Sequence, residues 1–279
     1  MRTFLRPLNT ITRRCIHRTV NVCQQDTEAA AQRAERTMTR FWKRAGIKED
    51  ENKVTVVLDQ RNLRTPSKNI VQFPKQQRQL ALFTAAEWDV QTKNLKAHTL
   101  PLTSIIARSL DAFDPVLAED PTIRTAVIDK LMQYFDTDAV CYHEDSPETL
   151  IELQDTYWKP IIEWTEKTYD VKINTTNNIF AISQPKETKE KLRAVIEEMD
   201  PLELSAFEKA VMTSKSFLIG FSLVKNGVSV ENAARAAHVE MKSQMDRWGE
   251  VEDSHDVEQE YMRQTLGSVA VVLMHKHQI

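Results

Sequence analysis

The chain has 279 residues, of which 41% are hydrophobic and 28% charged, a composition typical of globular proteins. Its formal net charge of −3 offers no electrostatic basis for nucleic-acid binding, and no apolar run approaches the roughly 18 residues of a membrane span. With five glycines and three cysteines, it contains neither of the common Gly-rich phosphate loops, no disulfide framework and no four-cysteine zinc site.

The N-terminal segment differs from the rest of the chain. Residues 1–25 are rich in arginine and threonine, and the first acidic residue is Asp26. Arg-rich, hydroxyl-containing and acid-free composition is typical of a mitochondrial transit peptide, although a basic disordered tail is the alternative. We predict a transit peptide over residues 1–28 and a mature protein in the mitochondrial matrix.

A small β-containing domain is predicted over residues 29–97. Residues 53–59 alternate, with Val54, Val56 and Leu58 on one face, as expected of a half-buried strand. Two shorter runs, 63–66 and 69–73, follow and end at prolines. These runs predict a meander of about three strands between residues 45 and 74.

The chain then becomes helical, and we predict a mainly α-helical domain over residues 98–279, which makes the fold class α+β. The first helix follows residue 75, and its spacing turns Leu80, Phe83, Ala86 and Val90 to one face. A short strand is the expectation for residues 136–142.

Three further segments are each predicted as one continuous helix. Residues 147–164 carry an apolar stripe, and residues 207–224 carry the widest stripe in the chain, as expected of a central core helix ending at Gly227. The third helix is expected to begin at Ser229. A final helix is predicted over residues 261–275.

That third helix lies within the stretch 229–256, with Ser229 as N-cap and Gly249 as the terminating residue. Glu240 falls at the shoulder of its apolar stripe, where buried surface meets solvent. Such a helix is either a core helix or a surface on which a partner docks. The stripe consists of Val230, Ala233, Ala234, Ala237, Met241, Met245 and Trp248.

Catalytic and metal-binding patterns are weak. The sequence His143-Glu144-Asp145 matches no standard zinc spacing. His255 and Asp256 could orient a general base, but no nucleophile stands in a recognisable motif. Two hypotheses remain open beside a binding protein: a hydrolase-like matrix enzyme using Glu240, His255 and Asp256, and a stable subunit of a larger complex.

Several motifs in a fixed order make the chain resemble a known family. They are Leu58-Asp59-Gln60-Arg61-Asn62-Leu63-Arg64-Thr65-Pro66, Ala86-Glu87-Trp88-Asp89, Leu100-Pro101-Leu102-Thr103, Phe135-Asp136-Thr137-Asp138 with Cys141-Tyr142, Leu153-Gln154 with Trp158 to Trp164, and Glu240 with Arg247-Trp248-Gly249-Glu250-Val251-Glu252 through His255-Asp256. In that order they resemble the mitochondrial chaperones that attend the alpha subunit of the F(1)-ATPase during ATP synthase assembly.

The resemblance covers roughly residues 41–274 and implies a non-enzymatic function. Such chaperones bind unassembled alpha subunit and prevent its aggregation until a beta subunit replaces them. The resemblance implies no cofactor, no metal, no nucleic acid and no small-molecule substrate. It places the family's acidic position on Glu240, and we predict Glu240, Trp248 and Asp256 as client-binding residues. Trp88 and Trp248 are also expected to pack in ways that shape the molecule.

Overall fold

A computed structural model describes residues 39–178, 182–251 and 253–277, so the predicted transit peptide lies outside the described residues. The chain divides into two compact units. In the described part of the smaller unit, residues 39–41 and 91–97, Thr39 and Asn94 form an antiparallel bridge. Residues 42–90 and 98 onward form the larger unit.

The larger unit begins with a four-stranded antiparallel sheet: β1 (Ala45–Glu49), β2 (Lys53–Leu58), β3 (Arg61–Asn62) and β4 (Gln72–Pro74). β2 is central and pairs with the other three strands. The strand predicted over 53–59 is confirmed as β2, but the run 63–66 contributes only an isolated bridge between Arg64 and Ile70, and the run 69–73 is a strand only from residue 72. β4 returns to β2, so the sheet is not a simple meander. Val54, Val56 and Leu58 are buried, as their alternation predicted.

Helices follow the sheet, and the fold class is α+β as predicted. Among the described residues, no helix is both long and apolar enough to cross a bilayer. The helices are α1 (Arg78–Asp89), α2 (Pro101–Arg108), α3 (Thr122–Asp136), α4 (Glu148–Tyr157), α5 (Lys159–Tyr169), α6 (Lys186–Glu197), α7 (Pro201–Ser214), α8 (Phe217–Val224), α9 (Val230–Ala237), α10 (Val239–Trp248) and α11 (His255–His277).

The inward face of α1 was predicted wrongly. Phe83, Ala86 and Val90 are exposed, whereas the buried face carries Ala81 and Trp88. α1 packs on β1 and β2. Small side chains allow a helix to approach a sheet closely, so the face that carries them can turn inward although the larger Phe83 lies elsewhere. The full buried set is Leu80, Ala81, Thr84, Ala85 and Trp88.

Two of the three helices predicted as continuous break for local reasons. The segment 147–164 divides into α4 and α5 at Trp158, close to Pro160, which has no N–H to donate to the preceding turn. The segment 207–224 divides into α7 and α8 at Lys215, which has a φ of 57°. Ser216 then caps α8, because its Oγ accepts a hydrogen bond from the N–H of Ile219 at 3.1 Å.

The third break separates α9 from α10 at His238. The indole N–H of Trp158 donates to the Ala236 carbonyl at 2.8 Å. In a continuous helix this carbonyl would accept from the N–H of Glu240. A tryptophan from another helix therefore takes a bond that an uninterrupted helix needs. The predicted ends are confirmed: Ser229 Oγ accepts from Asn232 N, and Gly249 has a φ of 92°.

The core lies around α8, in which every residue is buried. The Phe217 ring lies 4.9 Å from that of Phe135, 5.3 Å from that of Phe207 and 5.6 Å from that of Phe221, measured between centroids. The prediction that this segment forms the central core is confirmed, although it consists of two helices. Aromatic packing of this kind supplies much of a core's stabilisation.

A buried carboxylate replaces the strand predicted over residues 136–142. Residues 139–141 form a 3-10 turn whose N-cap is Asp138, which accepts from Val140 N at 3.1 Å. Its other oxygen accepts from Leu218 N at 2.8 Å and from Ser216 Oγ at 3.0 Å, at the N-terminus of α8. The prediction of a strand is wrong because these bonds require a turn facing α8.

An ion network joins α7 to α11. Glu203 is 7% exposed and binds Lys225 Nζ at 2.7 Å and Lys276 Nζ at 2.5 Å. Lys276 Nζ also lies 2.6 Å from Asp200. Burial alone would raise the pKa of Glu203, but the two lysines outweigh burial and lower it. Glu203 is therefore ionised and ties the C-terminal end of α11 to the start of α7.

Candidate functional site

The candidate site is built on α10. Glu240 lies in the first turn of this helix, where a carboxylate interacts favourably with the helix dipole, and its side chain is exposed. Trp248 is the last residue of α10, and Gly249 with its positive φ turns the chain away immediately afterwards. The two residues therefore mark the two ends of one helix.

Glu240 and Trp248 also line one cleft of about 240 Å³. The Arg247 guanidinium lies 5.1 Å from the centre of the Trp248 ring, within range of a cation–π interaction. The structure thus brings two of the three predicted client-binding residues to the same cleft. Its lining consists of Glu144, Ser146, Pro147, Leu150, Glu240, Ser243, Gln244, Arg247 and Trp248.

The expectation that Trp248 helps to shape the molecule by packing is wrong, because its side chain is 70% exposed. α10 ends just as its apolar stripe reaches Trp248, and no helix in the described part of the chain covers the indole. Trp88, by contrast, is 8% exposed and packs as predicted, with its ring 5.1 Å from that of Trp42. Tryptophan is therefore a core residue at position 88 and a surface residue at position 248.

Exposed apolar side chains continue beyond the cleft. Val251 is 59% exposed, Val257 63% and Tyr261 45%. With Trp248 they form what we call the apolar segment, which runs from the end of α10 into the first turns of α11. Exposed large apolar side chains that lie near one another are typical of surfaces to which another protein binds. Val251, Val257 and Tyr261 were not predicted as surface residues of the site, although they stand out in the sequence as apolar residues within an acidic stretch.

Asp256 lies apart from the cleft. It is exposed in the first turn of α11, between the apolar residues Val251 and Val257, and is not among the residues that line the cleft with Glu240. Its neighbour His255 accepts a hydrogen bond from the N–H of Val251 at 3.1 Å through Nδ1. The catalytic group hypothesised from Glu240, His255 and Asp256 therefore does not come together in this cleft.

Metal-binding residue types do not cluster either. Among the described residues, no group of three His, Cys, Asp or Glu side chains is placed to hold a metal ion. His143 Nε2 lies 3.1 Å from the Val140 carbonyl, a contact that supports the turn after Asp138. Burial and the nearby charge of Asp138 raise the pKa of the Cys141 thiol, so this cysteine is an inert core residue.

Comparisons with known proteins agree with this architecture. The sequence model of the family described as ATP12 chaperone protein matches residues 39–166. The mitochondrial protein atp12 of Schizosaccharomyces pombe is 32% identical over 255 residues, which cover 88% of this chain and 86% of that protein. The mitochondrial protein ATP12 of Saccharomyces cerevisiae is 27% identical, covering 91% of this chain and 89% of that protein.

A solved structure shares the fold. The crystal structure of Atp12 from Paracoccus denitrificans superposes with a TM-score of 0.70 at 26% identity, covering 84% of this chain and 98% of that one. The sequence match to the fission yeast protein and this structural match both extend well beyond the part of the chain that the family's sequence model covers. The chain belongs to the ATP12 chaperone family.

Proposed function

We propose that the chain is a chaperone for assembly of the mitochondrial ATP synthase. It binds unassembled alpha subunit of the F(1)-ATPase and prevents its aggregation until beta subunit takes its place. Membership of a family described as chaperones is the observation that carries this proposal. Two relatives named as mitochondrial and the Arg-rich N-terminus support a location in the mitochondrial matrix after removal of residues 1–28.

The physical case for such a chaperone rests on the geometry of the client. Alpha and beta subunits alternate in a ring, so an unassembled alpha subunit exposes surfaces that beta normally covers, and large exposed apolar surfaces promote aggregation. The apolar segment of this chain offers complementary surface. A temporary partner must also leave, so its affinity has to be weaker than that of the final assembly, and no covalent chemistry is needed.

We assign client binding to Glu240, Trp248 and Asp256. Trp248 supports this assignment because tryptophan contributes strongly to protein interfaces and its indole is open to solvent. Glu240 shares the cleft, and Asp256 adds a carboxylate inside the apolar segment. We also propose that the mature chain consists of a β-containing domain over 29–97 and a helical domain over 98–279.

The test is a client-specific aggregation assay. Denatured alpha subunit is diluted into buffer with or without an equimolar amount of the purified chain, and light scattering is followed. We expect scattering to be suppressed for alpha but not for beta subunit, and we expect added folded beta to displace the chain from alpha. Equal protection of both subunits, or of neither, contradicts the proposal.

A further inference from the structure

A second cavity lies on the opposite face of α10 from the Glu240 cleft. It encloses about 380 Å³, within the range of pockets that bind small ligands or protein side chains. Its walls come from four helices, α4, α9, α10 and α11, and from the connection between the last two. The lining consists of Leu153, Tyr157, Ala234, Arg235, His238, Val239, Lys242, Met245, Glu250, Gln259 and Arg263.

The lining combines an apolar floor with positive charge. Arg235, Lys242 and Arg263 line the cavity, and Glu250 is the acidic residue beside them. The carboxylates that pair with these cations lie outside the lining. Glu231 lies 2.9 Å from Arg235 and 3.1 Å from Arg263, Glu260 lies 2.8 Å from Arg263, and Asp246 lies 2.7 Å from Lys242. The cationic side chains rather than their partners therefore meet whatever enters.

These ion pairs are weak enough to be rearranged. The side chains of Arg235 and Lys242 are each 53% exposed and that of Arg263 is 42% exposed. Exposed ion pairs contribute little net stability, so exchanging one carboxylate for another costs little. A guanidinium presents several donors in a planar fork and can therefore keep Glu231 while it also binds an incoming carboxylate.

His238 adds an unsatisfied polar atom. Its Nε2 is buried and has no hydrogen-bond partner in the part of the chain that the structure describes. Burial lowers the pKa of this imidazole, so the ring is neutral and Nε2 can donate or accept. A buried polar atom without a partner is unfavourable, and an occupant that supplies a partner removes that cost.

The cavity is continuous in sequence with the apolar segment. Glu250 lines the cavity between exposed Trp248 and Val251, and Gln259 lines it between exposed Val257 and Tyr261. A polypeptide that covers the apolar segment would therefore pass the cavity mouth.

We propose that this cavity is an anchor pocket for the client, which takes an apolar side chain together with a neighbouring carboxylate from the alpha subunit. The inference rests on the proposed function and names the part of the molecule that recognises an acidic, apolar segment. The apolar side chain lies against Leu153, Val239 and Met245. The carboxylate binds among Arg235, Lys242 and Arg263, and the segment supplies a partner for His238.

The first test fills the pocket. Gln259→Trp places a bulky ring in the cavity, whereas Gln264→Trp places the same ring on an exposed position of the same helix. We expect the Kd for alpha subunit to rise about tenfold or more in Gln259→Trp and to stay unchanged in Gln264→Trp. Because a tryptophan in the cavity could perturb folding, Lys242→Glu is a second variant, which should also raise the Kd. Its control is Lys167→Glu, at an exposed position of α5.

The second test needs no client. The full chain is titrated with N-acetyl-Leu-Glu-amide or N-acetyl-Leu-Lys-amide, and the Met245 methyl resonance is followed by NMR. We expect the Glu peptide to shift this resonance in wild type and in Gln264→Trp but not in Gln259→Trp, and we expect the Lys peptide to have no effect.

The two tests separate the pocket from the proposed function. If Gln259→Trp and Lys242→Glu bind alpha subunit as tightly as wild type does, the pocket is overturned and the chaperone function is unaffected. A response of Met245 to the Glu peptide without any binding of alpha supports a pocket for acidic, apolar peptides and rejects the alpha subunit as client. Equal responses to both peptides overturn the inference.

Discussion

Asp138 and Glu240 both carry carboxylates, but the first is buried and the second is exposed. Asp138 is 1% exposed and its oxygens accept hydrogen bonds from Val140, Ser216 and Leu218, which attach a turn to the N-terminus of α8. Burial raises the pKa of this carboxyl to about 6, although the hydrogen bonds act in the opposite direction. Glu240 has no such enclosure, and its carboxylate is available to a partner.

The raised pKa of Asp138 predicts a pH-dependent stability. The unfolded chain releases this proton near the ordinary pKa of 3.8, whereas the folded chain holds it to about pH 6. Folding therefore takes up a proton in this window, and the stability that Asp138 confers falls as pH rises. We expect the difference in unfolding free energy between wild type and Asp138→Asn to decrease by up to about 3 kcal/mol between pH 4 and pH 7. Urea unfolding at a series of pH values measures it; parallel profiles for the two proteins would refute it.

Charge reversal at Glu240 separates recognition from folding. Glu240→Lys removes a favourable charge from the first turn of α10, so we expect a loss of less than about 1 kcal/mol in unfolding free energy. We expect a clear loss of affinity for alpha subunit. Glu187→Lys, in the exposed first turn of α6, is the control with the same charge change and should bind normally. Equal affinities of the two variants would remove Glu240 from the client surface.

At the scale of secondary structure, the packing of α8 on α7 depends on a missing side chain. A Cβ at Gly220 would lie 2.8 Å from Val211 Cγ2 and 3.0 Å from the Val211 backbone nitrogen. The helices approach this closely only because residue 220 has no side chain. Gly267 in α11 is different, since a Cβ there would meet no described atom beyond the backbone of its own helix within 4 Å.

The two glycines predict opposite effects of the same substitution. Gly220→Ala forces α7 and α8 apart, and we expect a loss of about 1–3 kcal/mol in unfolding free energy. Gly267→Ala improves helix propensity without a clash, and we expect a gain of up to about 1 kcal/mol. Thermal and urea unfolding of both variants measure the signs. A stabilised Gly220→Ala protein would show that the helices are not in close contact.

Across the larger unit, α1 and α2 connect the sheet to the helices. Glu87 accepts from the backbone N–H of Leu102 at 2.8 Å and of Thr103 at 2.9 Å, which caps α2. The Trp88 indole N–H donates to Thr103 Oγ1 at 2.7 Å, and the Trp42 indole N–H donates to the Trp88 carbonyl at 3.2 Å. The last turn of α1 therefore bonds to α2 through Glu87 and Trp88, and to Trp42 through the Trp88 carbonyl.

Replacing Trp88 should destabilise the whole of this unit. Trp88→Arg buries an unpaired guanidinium between α1 and α2, and we expect a loss of at least about 3 kcal/mol in unfolding free energy. Trp248→Arg is the control, because its site is 70% exposed and should cost little. Circular dichroism during thermal unfolding measures both. Similar melting temperatures for the two variants would contradict the burial of Trp88.

Local sequence determined the features that depend on near neighbours. Alternation located β2, and Ser229 was recognisable as a helix cap. Ordered motifs identified the family, and the prediction of Glu240, Trp248 and Asp256 as client-binding residues followed from it. These signals are readable because the interacting groups lie within a few residues of each other.

Only the tertiary structure decided that the helix after Ser229 breaks at His238, which face of α1 is buried and which tryptophan stays exposed. Trp158 reaches the Ala236 carbonyl across 78 positions of sequence, and Trp248 remains open because none of the described helices covers the end of α10. The cavity behind α10 likewise needs four helices to exist. Each outcome depends on surfaces distant in sequence, which no periodicity within one segment encodes.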